Sequence, residues 1–260
     1  MRPSKTIRKI VLGTTAGLMF GTAVPSLAVA ELSHKPKVAV ASKAKVATVS
    51  KANTAARTAA NAAIQALKPS VRNLSHPRAL ETAVNAYYDY QAAHPAEVKK
   101  PYLYFVDFGQ SQNAQRGYVF DMKTLKVVEG PFTVAQGSGS GAGVPSRFSN
   151  APRSRATSLG LYVTGNTYAF RGHSRGRPYS SVGLRLNGKS KGYNDNALAR
   201  GVVAHGAPYV TASRAGKSQG CPAMEPARAA RLLPKLANGS VVFLFAPNSG
   251  WMAADHWANG

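Results

Sequence analysis

The chain has 260 residues with 33 Lys and Arg against 10 Asp and Glu, a formal net charge of +23, and one cysteine. A single cysteine excludes a disulfide framework within the chain, and the length allows one domain with a substantial core plus an extension. The charge favours a polyanionic partner, or gives only solubility and non-specific adhesion. Since the sequence begins with the pattern of an export signal, the polyanion that we expect is the anionic cell envelope and not nucleic acid.

The first thirty residues are predicted to be a signal peptide. Four basic residues lie between positions 2 and 9, an apolar stretch covers 10–24, and Ala-Val-Ala at 28–30 matches a cleavage site. The apolar stretch is too short to span a membrane, and no later segment is long and apolar enough to do so. We therefore expect a protein that is exported to the periplasm or cell wall, begins at Glu31 and has no transmembrane segment after signal removal.

Residues 31–70 are predicted to form a flexible tether, because they are rich in Ala and Lys and contain no aromatic residue for a core. Alanines at 55–67 favour a helix in its second half. A folded domain is expected over 71–250, beginning with a helix at about 76–93, and a tail over 251–260. The tyrosines of that helix are expected to pack on the rest of the domain.

From Tyr102 the pattern becomes that of strands, because short runs rich in β-branched and aromatic residues alternate with Gly, Asn, Pro and Ser. One helix interrupts them, opening near Pro226 and extending to about Ala237. The predicted fold class is mainly β with a few helices (α+β). The predicted strands cover 102–108, 117–121, 127–135, 161–167, 181–186, 201–205 and 241–245.

Glycine-rich and histidine patterns do not indicate a nucleotide or metal. Residues 183–190 match the P-loop pattern, but they form a strand pattern and no helix follows, so nucleotide binding is rejected. Residues 136–143 are interpreted as a mobile loop over a site. His173 either lines a pocket or lies in a basic loop at 171–177. No metal and no cofactor are expected, because the histidines lack the spacing of metal ligands.

Residues 200–224 are predicted to carry the chemistry. An apolar strand ends at His205, and Gly206 lets the chain turn without a side chain that blocks Cys221. A polar glycine-containing turn places that cysteine ahead of the helix that Pro226 opens. The histidine and the helix N-terminus both favour a thiolate, and the amides of the turn suit an oxyanion. The pattern indicates an acyl-transfer site, although a lone cysteine is also a common small core residue.

From about Tyr102 to Pro247 the sequence resembles the murein L,D-transpeptidases (the YkuD-like proteins). It looks closest to the murein L,D-transpeptidase catalytic domain family, whose turn contains Gly-Cys-Pro-Ala. The resemblance implies the mixed β-sheet fold of an L,D-transpeptidase catalytic domain over 71–250. The segments that carry it are 148–150, 158–165, 184–188, 191–197, 203–210 and, most specifically, Ser-Gln-Gly-Cys-Pro-Ala at 218–223.

The resemblance implies that Cys221 is the nucleophile, His205 its general base and the carbonyl of Gly206 the third member of a triad. It also implies an oxyanion hole made by the amides of Gln219, Gly220 and Cys221. Gln219 stands where the wider family has a second histidine, and Ala223 where it usually has Asn or Arg.

A substrate pocket is also expected next to the nucleophile. Each of its candidate residues has a structural alternative, since Asn in turns commonly bonds its own backbone. The candidates are Ser218, Arg200, Asn194, Asn187 and Tyr162.

The implied reaction is attack on the L,D bond between the third and fourth residues of a peptidoglycan stem tetrapeptide. D-alanine leaves and a thioester remains, which an amine from a neighbouring stem converts into a cross-link. Two alternatives stay open. With water as acceptor the same cysteine gives an L,D-carboxypeptidase, or the protein is a catalytically silent, cationic envelope-binding protein with a buried, inert thiol.

Overall fold

The computed structural model describes residues 38–72 and 74–260, so the predicted signal peptide lies outside the described residues. Contacts divide the chain into residues 1–42 and 43–260, and the side-chain contacts given below all lie in the second unit. The helices of the described part are α1 (Val38–Leu67), α2 (Ala79–Ala93), α3 (Pro226–Leu236) and α4 (Ser249–Ala254). The strands are β1 (Tyr102–Asp107), β2 (Gln115–Asp121), β3 (Lys126–Thr133), β4 (Gln136–Gly137), β5 (Gly160–Ser174), β6 (Arg177–Gly188), β7 (Val203–Gly206), β8 (Lys217–Ser218), β9 (Ala223–Met224) and β10 (Val241–Phe245).

Eight of the strands form one mixed sheet in the order β3-β2-β1-β10-β5-β6-β7-β9. The β1/β10 and β7/β9 pairs are parallel and the other pairs are antiparallel. Every residue of β10 is buried, which explains its uninterrupted Val-Val-Phe-Leu-Phe sequence. The predicted fold class, mainly β with a few helices, is confirmed.

Strands β5 and β6 are much longer than the sequence suggests. They pair from Tyr162↔Gly188 out to Ser174↔Arg177. Arg175 and Gly176 close the hairpin, both with positive φ (51° and 76°), which is the geometry of a tight hairpin turn. The basic segment 171–177 is therefore the end of a hairpin, and its interpretation as a loop was wrong.

The second half of α1 and the helix α4 both contact the core. In α1, Ala60, Ala63 and Leu67 are buried in the main hydrophobic cluster, although they belong to the segment expected to be a tether. In α4, which overlaps the expected tail, Trp251 is buried and donates a 2.9 Å hydrogen bond from Nε1 to Asp255. Both segments therefore add to the core, while the domain boundaries drawn from the sequence stay predictions.

Two helices lie against different parts of the sheet. Helix α2, where the sequence predicts a helix at about 76–93, contacts β1 and β10 and buries Tyr87 and Tyr90. Helix α3 contacts β6 and β7. No helix among residues 38–72 and 74–260 is long and apolar enough to cross a membrane. The packing of α3 positions the end of β7, where the candidate site lies.

Candidate active site

His205 is held near the end of β7 by its two neighbouring strands. It pairs with Gly183 on β6 and with Ala223 on β9, and it is 2% exposed. The following Gly206 allows α3 to approach, because a Cβ there would lie 2.9 Å from the Cβ of Ala229 and 2.4 Å from Oγ of Ser181. Close packing against α3 and Ser181 therefore requires glycine at position 206. Strand β9, paired with β7, brings the segment of Cys221 beside the histidine.

The imidazole of His205 has a defined orientation. Nδ1 lies 3.0 Å from the carbonyl oxygen of Gly206 and 3.5 Å from the hydroxyl of Tyr179, and the ring stacks on Phe170 with centroids 4.1 Å apart. A carbonyl only accepts, so Nδ1 carries the proton and Nε2 is the basic nitrogen. Burial lowers the pKa of His205 below 6.5, and the hydrogen bond to Gly206 opposes the shift. The imidazole is therefore neutral at pH 7.

The turn before β9 is held by hydrogen bonds of Ser218. Its hydroxyl donates to the carbonyl of Cys221 at 2.6 Å and accepts from the amide of Gly220 at 3.1 Å. Gly220 has φ +124°, and a Cβ there would lie 3.1 Å from the carbonyl oxygen of Ala156. Ser218, predicted to contact substrate, thus holds the turn, and the Gly220 amide expected in the oxyanion hole already has a partner.

The thiol of Cys221 is partly shielded from water. Its sulfur lies 3.9 Å from the carbonyl oxygen of Gly201 and accepts from the amide of Val203, and the structure records no bond from it to His205. Burial raises the pKa of Cys221 above 9.0, although the Val203 amide and the charge of Arg200 oppose this. The sequence predicted a thiolate, but in the structure burial outweighs the groups that stabilise the thiolate. The thiol is therefore neutral at pH 7.

Arg200 lies beside the turn and holds the neighbouring segment. Its Nη2 would be 3.6 Å from a Cβ on Gly220, which places the guanidinium next to the residue that precedes Cys221. The side chain is half-buried. It donates to the carbonyls of Ser149 (2.8 Å) and Ala156 (3.0 Å) and to the hydroxyls of Ser154 (3.0 Å) and Ser158.

Two of the expected pocket residues lie in the core instead. Tyr162 is fully buried and donates to the carbonyl of Ser158 at 2.8 Å. Asn194 is fully buried, accepting from the Ser190 amide and donating to the Leu161 carbonyl, both at 2.9 Å. Because their polar atoms are satisfied internally, the geometry favours the structural alternative for both.

Asn187 lies on β6, four residues beyond Gly183, which pairs with His205. It is half-buried and pairs with Val163 of β5. Asn187 therefore lies beyond the part of β6 that pairs with β7, and its predicted contact with substrate stays a prediction.

Residues 136–140, the first part of the glycine-rich segment 136–143, are a packed part of the site. Strand β4 pairs in parallel with β8, and Gln136 and Ser140 are fully buried. A Cβ on Gly137 would lie 2.7 Å from the Cα of Gly220, so β4 supports the turn directly. Arg116, also buried, donates to the side chain of Gln136. Residues 136–140 are thus a strand and a 3-10 turn, and their interpretation as a loop was wrong, whereas residues 142 and 143 are exposed.

Aromatic residues of the β5/β6 hairpin complete the surroundings of His205, and the sequence analysis did not identify them. Phe170 stacks on the imidazole, and Tyr179 links its Nδ1 to the hydroxyl of Tyr209 by a second hydrogen bond. The alternation of Tyr168 and Phe170 was the available signal. It was missed because the predicted strand ended at Thr167.

His173 lines a cavity of about 520 Å³, which we call the hairpin pocket, together with Arg175, Arg214 and Lys217. Of its two interpretations, the structure supports the pocket. Among residues 38–72 and 74–260, no group of three or more His, Cys, Asp or Glu side chains is arranged to hold a metal ion.

The family model described as the L,D-transpeptidase catalytic domain matches residues 72–245. No curated protein matches the chain. A solved L,D-transpeptidase from Mycobacterium smegmatis is 17% identical with a TM-score of 0.34, over 56% of this chain and 59% of that one. One from Stackebrandtia nassauensis is 18% identical with a TM-score of 0.36, over 66% and 68%. The chain thus spans less than two thirds of the mycobacterial structure.

Proposed function

The chain belongs to the L,D-transpeptidase catalytic domain family, and we propose that it is a peptidoglycan L,D-transpeptidase with Cys221 as nucleophile. One observation carries the proposal. The single cysteine of the chain lies in a fixed turn directly before β9, and β9 pairs with the strand that presents a neutral, oriented His205. A neutral thiol and a neutral imidazole suit general-base catalysis, in which the proton leaves the sulfur as the nucleophile attacks.

Acylation begins when the sulfur of Cys221 attacks the carbonyl carbon of the L,D peptide bond. Nε2 of His205 takes the thiol proton as the S–C bond forms, and the carbonyl electron pair moves onto oxygen. We assign that oxyanion to the amides of Gln219 and Cys221, since the Gly220 amide donates to Ser218. The C–N bond then breaks, His205 returns the proton to the leaving amine, and D-alanine departs from a thioester.

Deacylation repeats the chemistry with a new nucleophile. The amine of a second stem attacks the thioester, His205 takes its proton, and the sulfur leaves and recovers a proton from the imidazolium. An amide cross-link and the free thiol result. If water attacks instead, the product is a carboxylate, which is the L,D-carboxypeptidase alternative.

We place this reaction in the cell wall. A net charge of +23 favours the anionic envelope, and stem peptides of peptidoglycan are the partners that the family implies. Export through a signal at residues 1–30 predicts an amino terminus at Glu31. Amino-terminal sequencing of the exported protein tests this, and finding Met1 would contradict it.

The products from tetrapeptide muropeptides test the reaction class. The full chain is incubated with purified tetrapeptide muropeptides and the products are separated by chromatography. D-alanine release together with a cross-linked dimer supports the transpeptidase, and tripeptide alone supports the carboxypeptidase. No turnover by a folded protein would favour the silent envelope-binding alternative.

A further inference from the structure

A cationic cavity of about 590 Å³, which we call the arginine pocket, opens beside the nucleophile turn. Arg153, Arg155, Arg200 and Gln219 line it, and none of its lining residues, all in the described part of the chain, is acidic. The neighbouring carboxylate, that of Asp195, accepts hydrogen bonds from Asn150 and from the amide of Gly192. The lining of the pocket therefore carries positive charge and no carboxylate, and the oxygen of Asp195 already accepts from neutral donors outside the lining.

The three arginines have different roles in this pocket. Arg200 is fixed by bonds to the 149–158 segment, so it is a positioned charge with most of its donors in use. Arg153 and Arg155 are exposed, and within the described residues their guanidinium groups have no hydrogen-bond or ion-pair partner. Both have left-handed backbones, with φ of 58° and 52°. The two arginines with free guanidinium groups therefore share a backbone conformation that residues with a β-carbon rarely adopt.

The pocket's position restricts what it can bind. Nη2 of Arg200 lies 3.6 Å from the position of a Cβ on Gly220, the residue before the nucleophile. In a peptide attacked at its last bond, the terminal carboxylate carbon lies within about 4 Å of the attacked carbonyl carbon. The lining residues Arg200 and Gln219 belong to the immediate surroundings of Cys221, and the charge of Arg200 acts on its thiol, so the pocket lies on the side of the nucleophile where a terminal carboxylate is close enough to be bound.

We propose that the arginine pocket binds the free C-terminal carboxylate of the D-residue that leaves during acylation. The proposal rests on the proposed function. It makes the enzyme selective for stems whose L,D bond is the last bond, because a longer stem would place a neutral peptide group there. Planar guanidinium groups match a carboxylate in charge and shape, and such charge-assisted hydrogen bonds are stronger than neutral ones.

The test compares two synthetic tetrapeptide stems that differ only at the C-terminus, one a free acid and the other a carboxamide. Acylation rates are measured by intact-protein mass spectrometry on the full chain. The wild type is expected to react at least about tenfold faster with the acid, since hydrogen bonds to charged groups typically contribute that much or more. Equal rates would overturn the proposal, whereas no acylation by either stem would contradict the proposed function itself.

The variants locate the selectivity. Arg153→Asn with Arg155→Asn removes both free charges, and asparagine tolerates the left-handed backbone. We expect the acid-to-amide ratio to fall below about threefold while the amide rate is kept, because each hydrogen bond lost is to a charged group. An equal loss with both stems would mean structural damage and overturn the proposal.

Arg175→Asn is the matched control, because Arg175 is also exposed and left-handed (φ 51°) but lines the hairpin pocket. Its acid-to-amide ratio should stay at the wild-type value, and a fall equal to that of the double variant would contradict a local effect. A third stem, amidated at an upstream carboxylate with its C-terminus free, should react like the acid. If this third stem reacts more slowly than the acid, and the difference disappears in the double variant of Arg153 and Arg155, the pocket binds the upstream carboxylate and the proposal is refuted.

Discussion

Replacing Gly220 by alanine tests whether the turn geometry is required for acylation. The residue has φ +124°, where side-chain-bearing residues are rare, and the new Cβ would lie 3.1 Å from the carbonyl of Ala156. Backbone strain of this kind typically costs about 1–3 kcal/mol. The turn relieves it by moving, and the amides of Gln219 and Cys221 move with it. Because one misplaced oxyanion donor lowers the rate by about 100- to 1000-fold, we expect a loss of that size in acylation.

The assay is single-turnover acylation followed by intact-protein mass spectrometry, with urea unfolding measured in parallel. Gly192→Ala is the control, because Gly192 also has positive φ (81°) but a Cβ there meets nothing within 4 Å. It should lose about 1 kcal/mol of unfolding free energy and keep its acylation rate. Gly220→Ala that acylates within threefold of the wild type, while folded, would refute the role given to the turn.

Three further predictions concern His205, Gln219 and Arg116. His205→Ala should acylate about 100- to 10,000-fold more slowly at pH 7. The pKa of His205 lies below 6.5, so the wild-type rate should increase with pH up to about that value and then stay constant. The pKa of Cys221 lies above 9.0, so the rate of the variant, which depends on the thiolate, should keep increasing toward alkaline pH. A plateau in the variant would identify another base, with His173 next to test. Gln219→Ala should change the rate only modestly and leave the products unchanged, and a shifted pH profile would contradict a backbone-only role. Arg116→Met leaves buried acceptors at Val134 and Gln136, and a half-buried one at Gln110, without their donor, so urea unfolding should show a loss of about 3 kcal/mol in unfolding free energy. A loss below about 1 kcal/mol would contradict this.

The local sequence pattern correctly predicted elements such as β10, whose residues are all buried. Residues 241–245 form β10 as predicted, because a strand buried on both faces needs an unbroken apolar run. Pro226 opens α3 as predicted, since the first helical position needs no amide donor. The outer hairpin of β5 and β6 was missed because most of its residues are partly exposed, which removes the apolar alternation on which the prediction depends.

The candidate site divides in the same way. The single cysteine and the His-Gly pair are recognisable from the sequence, and the structure places them on adjoining segments. The contacts that orient the imidazole come from Phe170 and Tyr179, which lie more than 25 residues away along the chain, so the sequence around His205 does not indicate them. Asn194 was predicted to contact substrate because its hydrogen-bond partner, the carbonyl of Leu161, is distant in sequence and comes near only in the folded chain.

A covalent adduct on Cys221 tests the central claim most directly. The full chain and its Cys221→Ala variant are incubated with a tetrapeptide stem, quenched in acid and weighed intact, and the labelled residue is located by peptide mapping. The account predicts that the wild type gains the mass of the tripeptide acyl group at Cys221, with one D-alanine released for each adduct, and that the folded variant gains nothing. An adduct of the same mass on Cys221→Ala, or D-alanine release by that variant, would contradict it.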